Sequence, residues 1–379
     1  MNKRTLLVTY DFPPIVSGIG SFFYNTWRFL PSADNFILAP RVKGAEAIDN
    51  SGRVKVFRYI NWFSSPAIRS LILLFYLPLL LTRERINTLI CAVPVSIGVI
   101  GLGFKKFFHL PYCVFYYGGE FDKYKRNKIF MGIIKMVVRN ASYVITNSGY
   151  SSKEVEKFGI DTSKIIKITP GVDTEKFRPG IDCFLLKKRY GLEGKKVLLT
   201  VARLVKRKGV EVVIQSLPKI LDACPEVIYL IVGTGEEEVY LKRLVKEKGL
   251  EEKVIFVGFV SDEELPKYYN LCDIYVMPNI ITEGDETLEG FGISFVEASA
   301  CAKPCIGGLS GGVEEAVEEG KTGFLVNPSN TDILIGRIIW LLNDEKLRRS
   351  IGDNGRQKTA SDFKWQDRAQ KLRDIVDAI

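Results

Sequence analysis

The chain of 379 residues is longer than one ordinary hydrophobic core serves and suits two domains of roughly 150–200 residues each. Apolar residues make up 46% of it and charged residues 26%, which excludes disordered and fibrous classes, and its single histidine, His109, excludes most His-based chemistry. A zinc site, a Ser-His-Asp triad or a Cys-His dyad would have to rest on that residue alone, and between Phe108 and Leu110 it reads as a packing residue. The net charge of +9 divides unevenly: the first 150 residues hold 19 Lys and Arg against 7 Asp and Glu, or +12, and the remainder hold 34 against 37, or −3. That excess would attract an anionic partner.

Taken in chain order, short apolar runs alternate with helix-like periodic segments, the pattern of parallel βαβ units. In the first half the strands are expected at Thr5–Tyr10, Phe36–Ala39, Val54–Tyr59, Thr88–Ala92, Tyr112–Tyr116 and Tyr143–Asn147. In the second half they are expected at Lys196–Val201, Val227–Val232, Lys253–Val257, Ile274–Met277, Pro304–Gly307 and Gly323–Leu325. The apolar N-terminal stretch is too short for a signal-peptide core, so no cleaved leader is expected. Seven cysteines, odd in number and without C-x-x-C spacing, read as reduced thiols of a cytoplasmic chain, with no disulfide and no metal.

The first strand runs into Asp11 and a turn containing Gly18 and Gly20, then into a helical segment. Strand, glycine turn and helix in that order bring amides to the carboxyl edge of a sheet, where a phosphate or sugar can approach. The spacing is not G-x-G-x-x-G, which argues against a nicotinamide cofactor. The apolar run Ser70 to Leu81 is too short for a bilayer that takes about 20 residues. Lys123 to Ser142 sets Lys125, Lys128, Lys135 and Arg139 among Ile129, Ile133, Ile134, Val137 and Val138, a basic amphipathic helix. Peripheral contact with an anionic membrane and an ordinary helix with a solvated basic face both fit it. Aromatics interleaved with glycines as in RNA-binding motifs are absent, so nucleic acid is not expected as a partner.

A stretch rich in Pro, Gly and Asp, Thr169 to Asp182, reads as the interdomain linker. The next strand is followed by Arg203-Leu-Val-Lys-Arg-Lys208-Gly209. A guanidinium at 203 and an ammonium at 208 at the top of a sheet could grip a diphosphate, while Lys206 and Arg207 beside them equally suit a solvated loop. Further on, Glu289-Gly-Phe-Gly-Ile-Ser-Phe-Val-Glu297 opens a helix. Gly290 and Gly292 would leave the amides of Phe291, Gly292 and Ile293 uncovered at its N-terminus, which favours an anion. Glu297 can accept two hydrogen bonds from vicinal hydroxyls such as those of a ribose, and Glu289 can reach hydroxyls on the far side of the diphosphate. The last helix shows Trp365, Ala369, Leu372, Ile375 and Val376 on one face.

Two carboxylates around the G-F-G turn, R-L-V-x-x-K-G upstream, and GGVEEAV (Gly311 to Val317) and KTGFLV (Lys321 to Val326) downstream together resemble the retaining GT-B glycosyltransferases of family 4. PGVDTEKFRP, VGTGEEE and KVIFVGFVSDEEL resemble the same family, and EGDETLEGFGISFVEASA is most similar to its phosphatidylinositol-mannoside-type mannosyltransferases. The resemblance implies an α/β GT-B fold, two Rossmann-like doubly wound domains facing each other across a cleft. Residues 1–172 would form the acceptor domain, with the helix 362–379 packed back on it, and 173–361 the donor domain. It implies transfer of a hexose from GDP-mannose or a UDP-sugar to a hydroxyl of a glycan or lipid-linked acceptor, with retention and without metal. The protein would then be cytoplasmic, peripheral at the inner face of the membrane.

By the same resemblance Arg203 and Lys208 would neutralise the departing diphosphate and Glu289 would hold donor-sugar hydroxyls. Glu297 would bind the ribose, Val260 would meet the base through its backbone, and Gly18 and Gly20 would admit the phosphate and sugar. No D-x-D triplet occurs, and the E-x-D of Glu283-Gly284-Asp285 precedes Glu289 by only a few residues. Many relatives carry a histidine at the end of the fifth strand where this chain has Tyr117, in Tyr116-Tyr117-Gly118-Gly119-Glu120. A phenol still donates a hydrogen bond to a sugar but lacks the charge options of an imidazole. The alternatives are a catalytically silent nucleotide-sugar-binding subunit and a GT-B nucleotide-sugar 2-epimerase.

Overall fold

The computed structural model describes residues 3–60, 66–119, 124, 126–281 and 288–379. The chain divides into two compact units, Met1–Gly171 with Trp365–Ile379, and Val172–Lys364.

The first unit is built on seven parallel strands: β1 (Thr5–Val8), β2 (Asn35–Pro40), β3 (Lys55–Tyr59), β4 (Thr88–Cys91), β5 (Tyr112–Tyr116), β6 (Tyr143–Thr146) and β7 (Ile165–Lys167), in the order β3-β2-β1-β4-β5-β6-β7. The four residues of β1, Thr-Leu-Leu-Val, are all buried, as a strand covered on both faces requires. The strand β7 escapes the sequence pattern because it has only three residues, none fully buried. Helix Pro66–Arg83 takes up the apolar run, burying Leu73, Leu77 and Leu80 while Leu71, Leu74, Phe75 and Leu79 stay exposed. No described helix is long and apolar enough to cross a membrane. Helix Lys128–Asn140 buries Ile134, Val137 and Val138 and turns Lys128, Lys135 and Arg139 outward. The C-terminal helix Trp365–Asp377 belongs to this unit. Its five buried residues are Trp365, Ala369, Leu372, Ile375 and Val376, and the Trp365 ring meets Phe22 edge-on at 5.8 Å.

The second unit has six parallel strands: β8 (Lys196–Val201), β9 (Val227–Val232), β10 (Val254–Gly258), β11 (Ile274–Met277), β12 (Cys305–Gly308) and β13 (Gly323–Val326), ordered β10-β9-β8-β11-β12-β13. Both sheets are thus Rossmann-like. Strand order reverses between β1 and β4 in the first and between β8 and β11 in the second, and ligands of open α/β sheets sit at such reversals, beyond the carboxyl ends of the strands.

One expectation is corrected. His109 is no packing residue: it is exposed and closes helix Val99–Phe108 as a left-handed C-cap with φ 55°. The segment Thr169 to Asp182 contains the division between the two units, at Gly171 and Val172, and it is anchored, with Val172 and Phe177 buried in the core of the second unit. The Val172 amide donates to the Phe363 carbonyl at 2.7 Å, and the Arg356 guanidinium donates to the carbonyls of Thr174 and Phe177. Pro, Gly and Asp mark turns, and a turn pinned by two apolar anchors has the same composition as a loose one.

Candidate active site

A polar cluster of the second unit lies beyond the carboxyl ends of β8 and β11. After β8 the chain makes one 3₁₀ turn, Lys206–Lys208, and enters helix Val210–Ala223 through Gly209. A methyl group at Gly209 would stand 2.2 Å from the Pro278 carbonyl oxygen, so only glycine lets this corner touch the loop after β11. The Ile280 amide donates to the Arg207 carbonyl at 2.9 Å and locks the two loops together. On the other side Gly311 (φ 61°) presses against the Glu289 backbone, where a Cβ would lie 2.1 Å from the carbonyl oxygen, and the Gly312 amide donates to that oxygen at 2.8 Å.

Glu289 is thereby set among cations. The Lys208 ammonium donates to Oε2 at 2.5 Å, the Arg207 guanidinium at 3.1 Å and the Asn279 amide at 3.1 Å. Burial pushes the Glu289 carboxyl up, but the Lys208 and Arg207 charges outweigh it and hold the group below its ordinary range. It is an ionised carboxylate in a largely dry place. The sequence missed Arg207 and Asn279 as members of this cluster. Arg203 takes no part in it: its side chain is exposed and has no carboxylate partner among the described residues. The 3₁₀ turn decides this, bringing 207 and 208 to Glu289 while Leu204, one step after Arg203, is the residue sunk in the core.

The helix Ile293–Ala300 starts from Gly292 (φ 88°) with no side-chain cap, so the amides of Ile293 and Ser294 face no capping side chain, while that of Phe295 donates to the Gly292 carbonyl at 3.0 Å. Phe291 beside it is buried, its ring 5.7 Å from Phe363, which leaves its backbone as the part able to meet a ligand. Ile293 is half-buried. One turn on, Glu297 accepts a hydrogen bond from the Tyr269 hydroxyl at 2.7 Å. Burial raises its carboxyl to about 7, against the Tyr269 bond, which favours the charged form. Val260, after β10, is half-buried against the core, with Phe259 exposed before it. Glu283-Gly284-Asp285 lies outside the described residues, among which no group of three or more His, Cys, Asp or Glu could hold a metal ion.

In the first unit, Gly18 and Gly20 lie in the opening turn of helix Gly18–Trp27 at the carboxyl edge of β1. Gly18 is exposed. The Gly20 amide is already taken, donating to the Ser17 N-cap hydroxyl at 2.9 Å, and Gly20 packs against the Phe12 backbone. Its glycine character thus serves packing. Tyr117 follows β5 with its ring stacked on Phe115, centroids 6.0 Å apart and planes 10° off parallel, and Glu120 lies outside the described residues. A second polar group at this sheet edge was not anticipated. The Tyr10 hydroxyl donates to Ser96 at 3.1 Å, the Arg69 guanidinium lies 6.0 Å over the Tyr10 ring, and Asp11 beside them is raised by burial and lowered in part by Arg69. Ser96 holds φ 68°, a left-handed backbone unusual for serine, and Tyr59 buries its hydroxyl nearby. Tyr10 and Asp11, two and three positions after the end of β1, were the available signal.

Comparison with known proteins agrees over both units. Residues 185–358 match the family described as glycosyl transferases group 1, and residues 16–176 match glycosyltransferase family 4. The GDP-mannose-dependent alpha-(1-6)-phosphatidylinositol monomannoside mannosyltransferase of Mycolicibacterium smegmatis is 28% identical over 374 residues, 98% of this chain and 97% of that protein. The mannosylfructose-phosphate synthase of Agrobacterium fabrum is 31% identical over 233 residues, covering 59% of this chain and 50% of its own. Among solved structures, Anabaena HepE in complex with UDP and glucose superposes with a TM-score of 0.85 at 20% identity over all of both chains. Sucrose-phosphate synthase from Thermosynechococcus elongatus gives 0.85 at 20% identity, over 100% of this chain and 99% of that one.

Proposed function

The chain belongs to the group 1, family 4 glycosyltransferases of the GT-B fold, and from that premise we propose that it is a retaining mannosyltransferase acting from GDP-mannose on a hydroxyl of a lipid-linked acceptor. Transfer of a sugar from a nucleotide sugar is the activity of the family. Mannose and guanosine are supported by relatives aligned over nearly the whole chain whose names carry GDP-mannose.

The observation that carries the reading is the placement of Lys208 and Arg207 on Glu289 beside an uncapped helix N-terminus. As a glycosidic bond to diphosphate breaks, negative charge grows on the leaving oxygen, and fixed cations and amides stabilise it most where water is excluded. Lys208 and Arg207, with the exposed Arg203 free to swing in, would supply the positive charge without a metal. Glu289 would turn its carboxylate to the sugar hydroxyls, and Glu297 would accept the ribose hydroxyls. With charge rising on both leaving group and ring, no strong base is needed, and attack from the face the diphosphate leaves would retain configuration.

The acceptor side is supported by the charge of the first unit and by the polar group of Tyr10, Asp11, Arg69 and Ser96 at its sheet edge. The apolar outer face of helix Pro66–Arg83 suits the surface of a membrane that holds such an acceptor. Thermal shift with GDP, GDP-mannose, UDP and UDP-glucose, each with and without chelator, tests the reading, because a ligand stabilises the fold in proportion to the logarithm of its saturation. GDP and GDP-mannose should raise the melting temperature with chelator present. Stabilisation by the uridine series alone, or only with a divalent ion, would replace the donor or the metal-free chemistry.

A further inference from the structure

Tyr269 lies in helix Leu265–Leu271 and is fully buried. Its ring is held edge-on by Phe177 at 5.8 Å and tilted against Tyr275 at 5.8 Å, and Tyr275 is itself tied to Ser294 through its hydroxyl at 2.6 Å. A phenol so confined needs a partner for its hydroxyl, and the partner is Glu297 Oε2 at 2.7 Å. The other oxygen of that carboxyl has no hydrogen-bond partner among the described residues. The arrangement is one-sided: a rigid donor holds one oxygen and leaves the second to accept.

We propose that Tyr269 is the positioning residue of Glu297, fixing the carboxylate so that its second oxygen receives the vicinal hydroxyls of the donor's ribose. The proposal rests on the reading of Glu297 as the ribose acceptor. Burial alone would protonate Glu297 near neutral pH, and a protonated carboxyl is a poor acceptor for two hydroxyl donors. The other titratable groups facing it are Asp262 after β10, Lys176 in the loop ahead of β8, Tyr275 on β11 and Cys301 at the end of its own helix. Lys176 and Asp262 are paired to each other, which leaves Tyr269 as the donor in direct contact.

The test is calorimetric titration of the full chain and of Tyr269→Phe with GDP and UDP and with their 2′,3′-dideoxy forms, across neutral pH. The wild type should prefer the ribose forms. In Tyr269→Phe their binding should weaken about tenfold, as loss of a hydrogen bond to a charged group does, with the dideoxy forms unchanged and the pH midpoint of ribose binding moved upward. Equal weakening of ribose and dideoxy forms, or no change in either, would overturn the positioning role. A wild type that binds both forms alike would instead sink the ribose reading of Glu297, and this proposal with it. Should the Phe variant not fold, 3-fluorotyrosine at 269 keeps the shape with a more acidic hydroxyl. It should tighten ribose binding and lower the midpoint, and an unmoved midpoint counts against the proposal.

Discussion

Lys208 and Glu289, 81 positions apart in sequence, meet with the ammonium 2.5 Å from the carboxylate oxygen Oε2, and both side chains are largely withdrawn from water. Each is the other's counter-ion. The pair keeps two charges in the site that neither burial nor local sequence would tolerate alone.

Lys208→Ala removes the cation proposed to face the leaving group and leaves a buried carboxylate to Arg207 and Asn279. Turnover should fall about 10²-fold or more, and stability should fall by about 1–3 kcal/mol because one partner of a buried pair is gone. Arg203→Ala should lower turnover with a melting temperature near that of the wild type, since an exposed side chain with no ion-pair partner among the described residues contributes little to stability. Steady-state rates beside urea unfolding separate the two, and near-normal turnover in Lys208→Ala would remove its assigned role.

Glu297 gives the fold a pH dependence of definite sign. Its carboxyl is raised from 4.5 to about 7 in the folded chain, so over that window the folded state holds a proton the unfolded state has released. This contribution to stability is present below the ordinary value and is lost as pH rises through about 7, amounting to about 3 kcal/mol at most. Glu297→Gln should flatten that slope and gain on the wild type in urea midpoints at about pH 8 compared with about pH 5. An unchanged slope would show that the carboxyl is ionised throughout.

Gly311→Ala should cost about 3 kcal/mol or more, since a left-handed backbone is strained by any side chain and the new Cβ would strike the Glu289 carbonyl oxygen. Nucleoside-diphosphate binding should be lost with it, because that contact sets the loop carrying Glu289. Gly336→Ala is the control: its Cβ would meet nothing on the exposed face of helix Thr331–Asn343, and it should gain up to about 1 kcal/mol. Denaturant titration and nucleotide binding on both variants decide the matter.

Phe75 is 81% exposed on helix Pro66–Arg83. If that face lies on lipid, Phe75→Ser should weaken sedimentation with anionic vesicles about tenfold, the scale of one large apolar side chain withdrawn from water, and raised salt should weaken it further. Wild-type binding by Phe75→Ser would place the membrane contact elsewhere or nowhere.

What the sequence determined by itself is what neighbours along the chain decide. Val227–Val232 and Ile274–Met277 are continuous apolar runs, Trp365, Ala369, Leu372, Ile375 and Val376 repeat at helical spacing, and each formed the element its pattern encodes. The glutamates at 289 and 297 could likewise be singled out from the glycine turn between them. Tertiary structure alone decided which cation meets Glu289: Arg203 and Arg207 are the same residue four positions apart, and only the 3₁₀ turn and the approach of Gly209 to Pro278 bring the second inward. It also gave Glu297 its tyrosine, 28 residues away, and the burial that raises its carboxyl against that bond. The physical reason is that periodicity and turn chemistry act over a few residues, whereas ion pairing and desolvation depend on which distant surfaces the packed core brings within about 3 Å.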